Sequence, residues 1–277
     1  MTTEDLANLV ERAQEGDRAA LEAVLGAVQH DIYRLALRMT AGREDAMDAT
    51  QEILVKVLTR LSTFRGHAAF TTWVHRVAVN HLLDRKRSAV ERHEMSFDAF
   101  ADDLRTGLEA SRSSSPEAEV LAREVKHGCT LALLTCLDRE ARVAYVLGEV
   151  FGVSSRDGAW ICEISEPAYR QRLSRARSAV RDFLTAHCGL VAPTTARCHC
   201  RRRVAIAVKL GRVDPALAAT PTVADVQAAV DEMERLYDTA ALLRSVPDAR
   251  APDEVAVHIR GLVAPGRYGL LTDPTEA

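Results

Sequence analysis

Residues His187 to Arg203 bring three cysteines and two histidines next to a run of arginines, H-C-G-L-V-A-P-T-T-A-R-C-H-C-R-R-R. Thiolate and imidazole are the usual ligands of zinc, which takes about four of them in a tetrahedron. Cys188, Cys198 and Cys200, with His199 or His187, could supply such a set. Paired zinc ligands are more often separated by about two to four residues than by the single residue between Cys198 and Cys200. The alternatives are therefore reduced thiols without a ligand and a redox pair.

A catalytic zinc centre would also need an open coordination position and a nearby general base. The sequence contains neither the H-E-x-x-H pattern of zinc proteases nor the H-x-E with C-x-x-C pattern of zinc deaminases. We therefore predict that the protein is not an enzyme and requires no cofactor, with zinc in the cysteine stretch as the one candidate.

The composition is that of a soluble, globular chain. With 277 residues, 47% hydrophobic and 27% charged, the chain is long enough for two or more small domains. No apolar run approaches the roughly 20 residues that cross a bilayer, and the start M-T-T-E-D-L lacks the layout of a signal peptide. We expect a cytoplasmic protein with no membrane partner.

Four helices are predicted in residues 1–90, where apolar residues recur at helical spacing. The third helix, near 43–61, presents an acidic face formed by Asp45, Asp48 and Glu52 with Gln51 beside them. The fourth helix presents a polar and basic face, because Arg76, Asn80 and Arg87 lie at offsets of four and eleven. A helical bundle with two differently charged faces follows from this pattern.

Residues 91–125 lack strong helical stripes and contain S-R-S-S-S-P, which is typical of a flexible linker. A second helical unit is predicted at 126–187, where a short helix begins after Ser154 and a longer one after Ser165. This helix-turn-helix carries a local excess of arginine on its second helix. Residues 188–277 contain a further apolar stripe at helical spacing from Val223 to Ala240, which predicts a helical extension.

Five motifs in order resemble one protein family. D-A-M-D-A-T-Q-E at 45–52, L-S-T-F-R-G-H-A-A-F-T-T-W at 61–73 and R-V-A-V-N-H-L-L-D-R-K-R at 76–87 resemble region 2 of bacterial sigma factors of the extracytoplasmic-function type. L-D-R-E-A-R-V-A-Y-V-L at 137–147 and I-S-E-P-A-Y-R-Q-R-L-S-R-A-R at 164–177 resemble the region 4 helix-turn-helix of the same family. The resemblance covers about residues 5–185 and implies an all-α chain of two small domains joined by a linker.

The resemblance also implies partners and site residues. The acidic face would dock on core RNA polymerase, through Asp45, Asp48, Gln51 and Glu52. The polar face would bind the minus-10 promoter element, with a base pocket at Phe64 and Asn80 and phosphate contacts from Arg76, Arg85, Lys86 and Arg87. The second helix of the helix-turn-helix would enter the minus-35 element, through Glu166, Ala168, Tyr169, Arg170, Arg172, Arg175 and Arg177.

Trp73 is predicted to belong to the core, and three positions depart from the family pattern. Glu163 stands where the turn commonly has glycine, Gly158 takes a usual aliphatic core position, and Tyr169 replaces a smaller residue. We predict a transcription initiation factor whose extension regulates it in cis, in place of or beside an anti-sigma protein. The alternative is a helix-turn-helix repressor or activator with a metal-sensing or redox-sensing C-terminal segment, which would need only residues 137–181 and an extension.

Overall fold

The computed structural model describes residues 2–87, 95–108, 115–219, 221–245 and 250–264, and helices dominate them. The thirteen α-helices in these ranges are α1 Thr3–Gln14, α2 Arg18–Thr40, α3 Arg43–Arg60, α4 Phe70–Asp84, α5 Phe97–Arg105, α6 Pro116–Thr135, α7 Arg139–Tyr145, α8 Ser155–Cys162, α9 Glu166–His187, α10 Cys200–Lys209, α11 Val223–Glu234, α12 Thr239–Arg244 and α13 Asp253–Leu262. The described residues contain no strand. Their one strand-like feature is an isolated β-bridge, a backbone pairing of residue Cys188 with Cys198. The predicted all-α class is confirmed.

One compact unit combines residues 1–88, 154–169 and 248–277. Its helices begin at capped positions: the Thr2 hydroxyl accepts from Asp5 N, and the Asp17 carboxylate accepts from Ala20 N. Helices α1, α3 and α4 pack around the long helix α2. The core of this bundle is aliphatic, with Val24, Leu25, Ile32, Leu35, Ile53, Leu54 and Val57 fully buried. The four predicted helices of residues 1–90 therefore form a bundle, as expected for one apolar face on each.

Helix α13 also belongs to this first unit, although it lies far along the chain. It packs on α2 and α3 and buries Val255, Ile259 and Leu262. Two polar contacts fix its ends, since Arg18 Nε donates to Val263 O at 3.0 Å and Ala251 N donates to His30 Nδ1 at 3.0 Å. Part of the predicted C-terminal extension thus completes the amino-terminal bundle.

The other compact unit combines residues 89–153 and 170–247. Helix α6 is its central element, and both α10 and α11 pack on it. The aromatic ring of Phe183 on α9 stacks on Phe100 of α5, with the ring centroids 5.4 Å apart. Helix α10 is joined to α5 by Asp103, whose carboxylate accepts from Arg203 Nη2 at 3.0 Å.

Two predicted boundaries differ from the structure. The segment 91–125 contains α5 and the start of α6, because Phe97, Phe100, Ala101 and Leu104 form an apolar stripe and the Ser96 and Ser115 hydroxyls cap the two helices. Residues 91–94 and 109–114 of this segment lie outside the described ranges. Residues 154–169, predicted as part of a separate region 4 domain, group with the first unit because α8 packs on α4. No helix in the described part of the chain is both long and apolar enough to cross a membrane.

Candidate nucleic-acid and polymerase interfaces

A cleft in the first unit is lined by several of the residues predicted to bind the minus-10 element. Its volume is about 380 Å³, within the range of small-molecule sites. The principal lining side chains are Phe64, Trp73, Arg76, Asn80, Trp160 and Glu163. Aromatic rings and an amide therefore face one space, which is the combination that stacks and reads an unstacked base.

The aromatic wall of this cleft is held by the loop before α4. Gln14 Nε2 donates to Leu61 O at 2.9 Å and to Phe64 O at 3.0 Å, which ties the loop to α1. The Phe64 ring lies 5.6 Å from Trp73 and 5.3 Å from Phe70, between ring centroids. Trp73 is only partly buried, so it belongs to the cleft wall as well as to the bundle surface, which differs from the predicted core position.

The polar wall is formed by Arg76 and Asn80, which lie four residues apart on one face of α4. Both donate to the carboxylate of Glu163 at the turn between α8 and α9: Asn80 Nδ2 at 3.1 Å, Arg76 Nε at 3.0 Å and Arg76 Nη2 at 2.8 Å. The Arg76 guanidinium also stacks on Trp160, 4.4 Å from the ring centroid. Hydrogen bonds from Asn80 and then Arg76 hold the pKa of Glu163 below its usual value, so this carboxylate is ionised at neutral pH.

Three further basic residues were predicted to hold phosphates, and they fall into two groups. Lys86 and Arg87 are exposed just beyond the end of α4. Arg85 instead reaches α3, where its Nη1 donates to Asp45 O at 2.7 Å and its Nη2 lies 4.0 Å from the Asp48 carboxylate. The structure thus brings Arg85 to the predicted polymerase face, while the side chains of Lys86 and Arg87 are exposed to solvent.

The predicted polymerase face lies on α3 and is accessible. Asp48 and Glu52 are exposed, while Asp45 and Gln51 are partly buried. Glu52 Oε2 lies 3.1 Å from Nε2 of the buried His81 on α4. Burial and then the nearby Lys56 lower the pKa of His81, so its imidazole does not neutralise the face at neutral pH. The four residues therefore remain a net acidic surface.

Helix α9 exposes most but not all of the residues predicted to read the minus-35 element. Ala168, Arg170, Arg175 and Arg177 are exposed, and Glu166 and Arg172 are partly exposed. Two of these arginines pair with α7 or the turn that follows it: Arg172 with Glu140 at 2.7 Å, and Arg177 with Glu149 at 2.5 Å. Such exposed pairs are weak and leave the guanidinium groups available for phosphates.

Tyr169 is a correction to the predicted base-reading set, because it is fully buried. Its ring fills the space where a side chain at position 158 would lie: a Cβ built on Gly158 would come within 2.2 Å of Tyr169 Cζ. The two departures from the family pattern therefore compensate each other, a large residue replacing a small one opposite the missing side chain. Tyr169 positions α8 against α9 and cannot touch DNA.

Cys188, Cys198 and Cys200 lie in the second unit, near a fourth cysteine, Cys129 of α6. The backbones of Cys188 and Cys198 pair in the isolated β-bridge, where Gly189 N donates to Cys198 O at 2.9 Å, and both thiols are free. Burial raises the pKa of Cys198 to about 11, and burial followed by the charges of Cys198, Cys200 and Cys188 raises that of Cys129 on α6. Raised pKa values disfavour the reactive thiolate that a redox pair needs.

The predicted zinc set does not form a metal-binding group here. Within the described ranges, no three or more His, Cys, Asp or Glu side chains are grouped so that they could hold a metal ion. His199 lies at the N-cap of α10 beside Cys198 and Cys200, so proximity in sequence is present without a ligand arrangement. The zinc assignment therefore stays a prediction.

Sequence reasoning missed three residues that the structure places beside the candidate sites. Glu163 carried a signal, since it replaces a common glycine in the turn, but its partners lie more than 80 residues away in α4. Trp160 and Cys129 were ordinary members of apolar helical stripes, and nothing in their spacing distinguishes them from core residues.

The amino-acid sequence is similar to those of known proteins. The family model described as Sigma-70 region 2 matches residues 25–92. RNA polymerase sigma-H factor of Pseudomonas aeruginosa is 32% identical over 185 residues, covering 65% of this chain and 94% of that protein. ECF RNA polymerase sigma-E factor of Escherichia coli K12 is 32% identical over 174 residues, covering 62% of this chain and 90% of that protein.

A solved structure is also similar, that of CnrH in complex with the cytosolic domain of CnrY, with 20% identity, a TM-score of 0.46, and coverage of 64% of this chain and 96% of that one. The two sequence relatives match over almost their whole lengths, beyond the helix-turn-helix alone, which does not favour the repressor alternative. The chain therefore belongs to the sigma-70 family, as a sigma factor of the extracytoplasmic-function type that binds core RNA polymerase and directs it to promoters.

Proposed function

We propose that the cleft at Phe64 and Asn80 binds an unstacked base of the minus-10 element and so assists promoter opening. The observation that supports this best is the convergence of Phe64, Trp73 and Asn80 on one cleft, since ring faces stack on a base and an amide supplies both a donor and an acceptor to its edge. Lys86 and Arg87 extend from the end of the same helix and would hold the backbone phosphates.

The other two surfaces have complementary tasks in this proposal. The exposed carboxylates on α3 dock on core polymerase, and the exposed arginines of α9 follow the phosphates of the minus-35 duplex while Ala168 and Arg170 lie nearest the base edges. Arg85 supports docking by holding Asp45 rather than DNA. The protein acts in the cytoplasm and carries no catalytic residue, since it supplies binding and positioning to the polymerase.

Run-off transcription with purified core polymerase on a library of promoter fragments tests the proposal. Asn80→Ala should lower open-complex formation at least about tenfold, the discrimination carried by a good base contact, while core binding stays within twofold. Glu52→Lys should instead weaken the binding of core polymerase, because it reverses a charge on the proposed docking face, and open-complex formation should fall as a consequence. Equal loss of core binding and opening in Asn80→Ala would assign Asn80 a structural role.

The C-terminal extension acts in cis in this proposal. Helix α13 is docked on α2 and α3 by three buried aliphatic side chains, so an element of the extension is part of the polymerase-binding unit. A chain ending after Ser245 lacks α13, and Ile259→Asp retains it but opposes its docking. Altered core binding in both variants supports regulation by the extension, and unchanged binding in both refutes it.

The zinc prediction has a separate test. Metal analysis of the purified protein, with Cys198→Ser as the control, should find about one equivalent of zinc that the variant loses if Cys188, Cys198, Cys200 and His199 rearrange into a ligand set. A metal-free wild-type protein removes this prediction without affecting the sigma-factor assignment.

A further inference from the structure

Glu163 has a backbone conformation that its side chain disfavours. It ends α8 with φ 56° and ψ 38°, in the left-handed region that glycine adopts without strain. Among the described residues, Ala41 is the one other non-glycine with a positive φ. The Glu163 side chain makes a contact that glycine could not make at this position.

The contact in question occupies the donors of the candidate base pocket. One carboxylate oxygen of Glu163 accepts from Asn80 Nδ2 at 3.1 Å and from both Nε and Nη2 of Arg76, at 3.0 and 2.8 Å. The Arg76 guanidinium is further fixed by the Trp160 ring below it. These amide and guanidinium donors are the groups that the acceptor edge of a base and a phosphate oxygen would use.

A nucleic acid entering this cleft would therefore meet a negative charge that already holds the donors. A phosphate is repelled by the ionised carboxylate, and the Asn80 N–H that donates to Glu163 Oε1 is not available to a base until that oxygen has left. The contact is nevertheless reversible, because the Glu163 side chain is 51% exposed and exposed ion pairs are weak.

We propose that Glu163 is an internal competitor of promoter DNA, a carboxylate on the helix-turn-helix turn that closes the minus-10 pocket until single-stranded DNA displaces it. This inference rests on the proposed function of the pocket. It assigns the departure from glycine in the turn a regulatory role: the free protein discriminates against adventitious single strands, and DNA must displace the carboxylate to use Asn80 and Arg76.

The test measures binding of the full chain to a fluorescein-labelled, random-sequence single-stranded oligonucleotide of about 12 nucleotides, by anisotropy at low salt. Glu163→Gly removes the carboxylate and suits the left-handed turn, and Glu163→Gln keeps the length and removes the charge. We expect Glu163→Gly to bind about threefold to tenfold more tightly than wild type, the range for one exposed charge-assisted contact that no longer competes, with Glu163→Gln between them.

Two controls test whether a gain in affinity comes from removing the competition by Glu163 in the pocket. Asp84→Asn removes one exposed negative charge from α4 without touching the cleft and should change affinity less than twofold. Asn80→Ala in the Glu163→Gly background should remove the gain. A gain that survives Asn80→Ala, or one that Asp84→Asn reproduces, is a general charge effect and overturns the proposal.

The remaining outcomes also decide the question. If Glu163→Gly binds no more tightly than wild type while Asn80→Ala weakens binding, competition by Glu163 is refuted and the pocket assignment stands. If neither variant changes binding, both the competition by Glu163 and the proposed pocket are refuted.

Discussion

The two compact units each contain a glutamate that bonds with side chains from another helix, and the two contacts differ in burial. In the first unit, Glu163 holds Arg76 and Asn80 at a half-exposed position beside a cleft. In the second unit, Glu232 of α11 pairs with Lys126 of α6, whose side chain is 1% exposed, and with His127 at 3.3 Å. An exposed pair can be exchanged for another partner, whereas a buried one must remain satisfied for the unit to stay folded. Similar chemistry thus serves stability in the second unit and, in our proposal, recognition in the first.

The largest expected effect is the loss of the buried pair. Glu232→Gln removes the counter-ion of the buried Lys126 ammonium and leaves it only neutral groups, among them the Tyr237 hydroxyl at 3.3 Å, so it should lower the free energy of unfolding by roughly 3–5 kcal/mol. Denaturant unfolding measures it. The neighbouring exposed Glu234 is the matched control, and Glu234→Gln should stay within about 0.5 kcal/mol of wild type. Equal effects in the two variants would show that the pair of the second unit is as dispensable as an exposed one.

A second prediction concerns the packing that positions Glu163. Gly158→Ala places a Cβ against the Tyr169 ring and should destabilise the protein by about 1–3 kcal/mol through overpacking. Tyr169→Leu in the same chain should recover most of this loss, and the double-mutant cycle measures the coupling. Gly128→Ala is the control, since nothing lies within 4 Å of its added Cβ and alanine favours helix α6. Additive effects at 158 and 169 would contradict the observed contact.

A pH titration contrasts the two units directly. Burial alone would lower the pKa of His127, but the hydrogen bonds that its ring donates to the Glu124 and Glu232 carboxylates raise this pKa above 6.5. The contribution of His127 to stability is therefore fully present below pH 6.5 and is lost as the pH rises through the elevated folded-state pKa. His127→Gln should flatten the melting temperature over this window. Glu163 has a lowered pKa, so its contact should weaken only as the pH falls below 4.5.

The smallest expected effect on stability is that of Glu163→Gly. Relief of the left-handed backbone and loss of an exposed ion pair are each about 1 kcal/mol and opposite in sign, so the net change should stay within about 1 kcal/mol. Ala41→Gly is the matched control, because Ala41 has the same φ of 56° and no carboxylate, and it should stabilise the protein by up to about 1 kcal/mol. A loss of several kcal/mol in Glu163→Gly would make this contact structural, like that of Glu232.

The helices were predictable from local signals, while their partners were not. The Ser154 and Asp17 caps and the stripes of α2 and α3 are legible in the sequence because they depend on residues three or four apart. Helix α5 was missed because its nine residues carry only five apolar residues, two of them alanine, between polar runs. The roles of the acidic face of α3, of the cleft beside α4 and of the arginine-rich face of α9 were predicted through the family motifs. Most of the residues predicted for these roles are at least partly exposed in the structure.

Contacts between distant segments explain the remaining differences. The family resemblance implied that Tyr169 faces DNA together with Ala168 and Arg170, but its orientation depends on the space left by Gly158. The resemblance likewise implied that Arg85 holds a phosphate, but Asp45 lies 40 residues earlier and within reach. Neither pairing has a periodic signal in a single sequence.

Helix α13 also affects when the amino-terminal unit can be finished during synthesis. The hydrogen bond from Arg18 to Val263 joins residues 245 positions apart. At translation rates of about 5–20 residues per second, roughly 10–50 s separate the emergence of these two residues from the ribosome. During that interval the surface of α2 and α3 that α13 later covers is exposed on the nascent chain. Helices α1 to α4 are therefore completed by a helix that is made much later, and a ribosome-bound chain presents an amino-terminal bundle that still lacks α13.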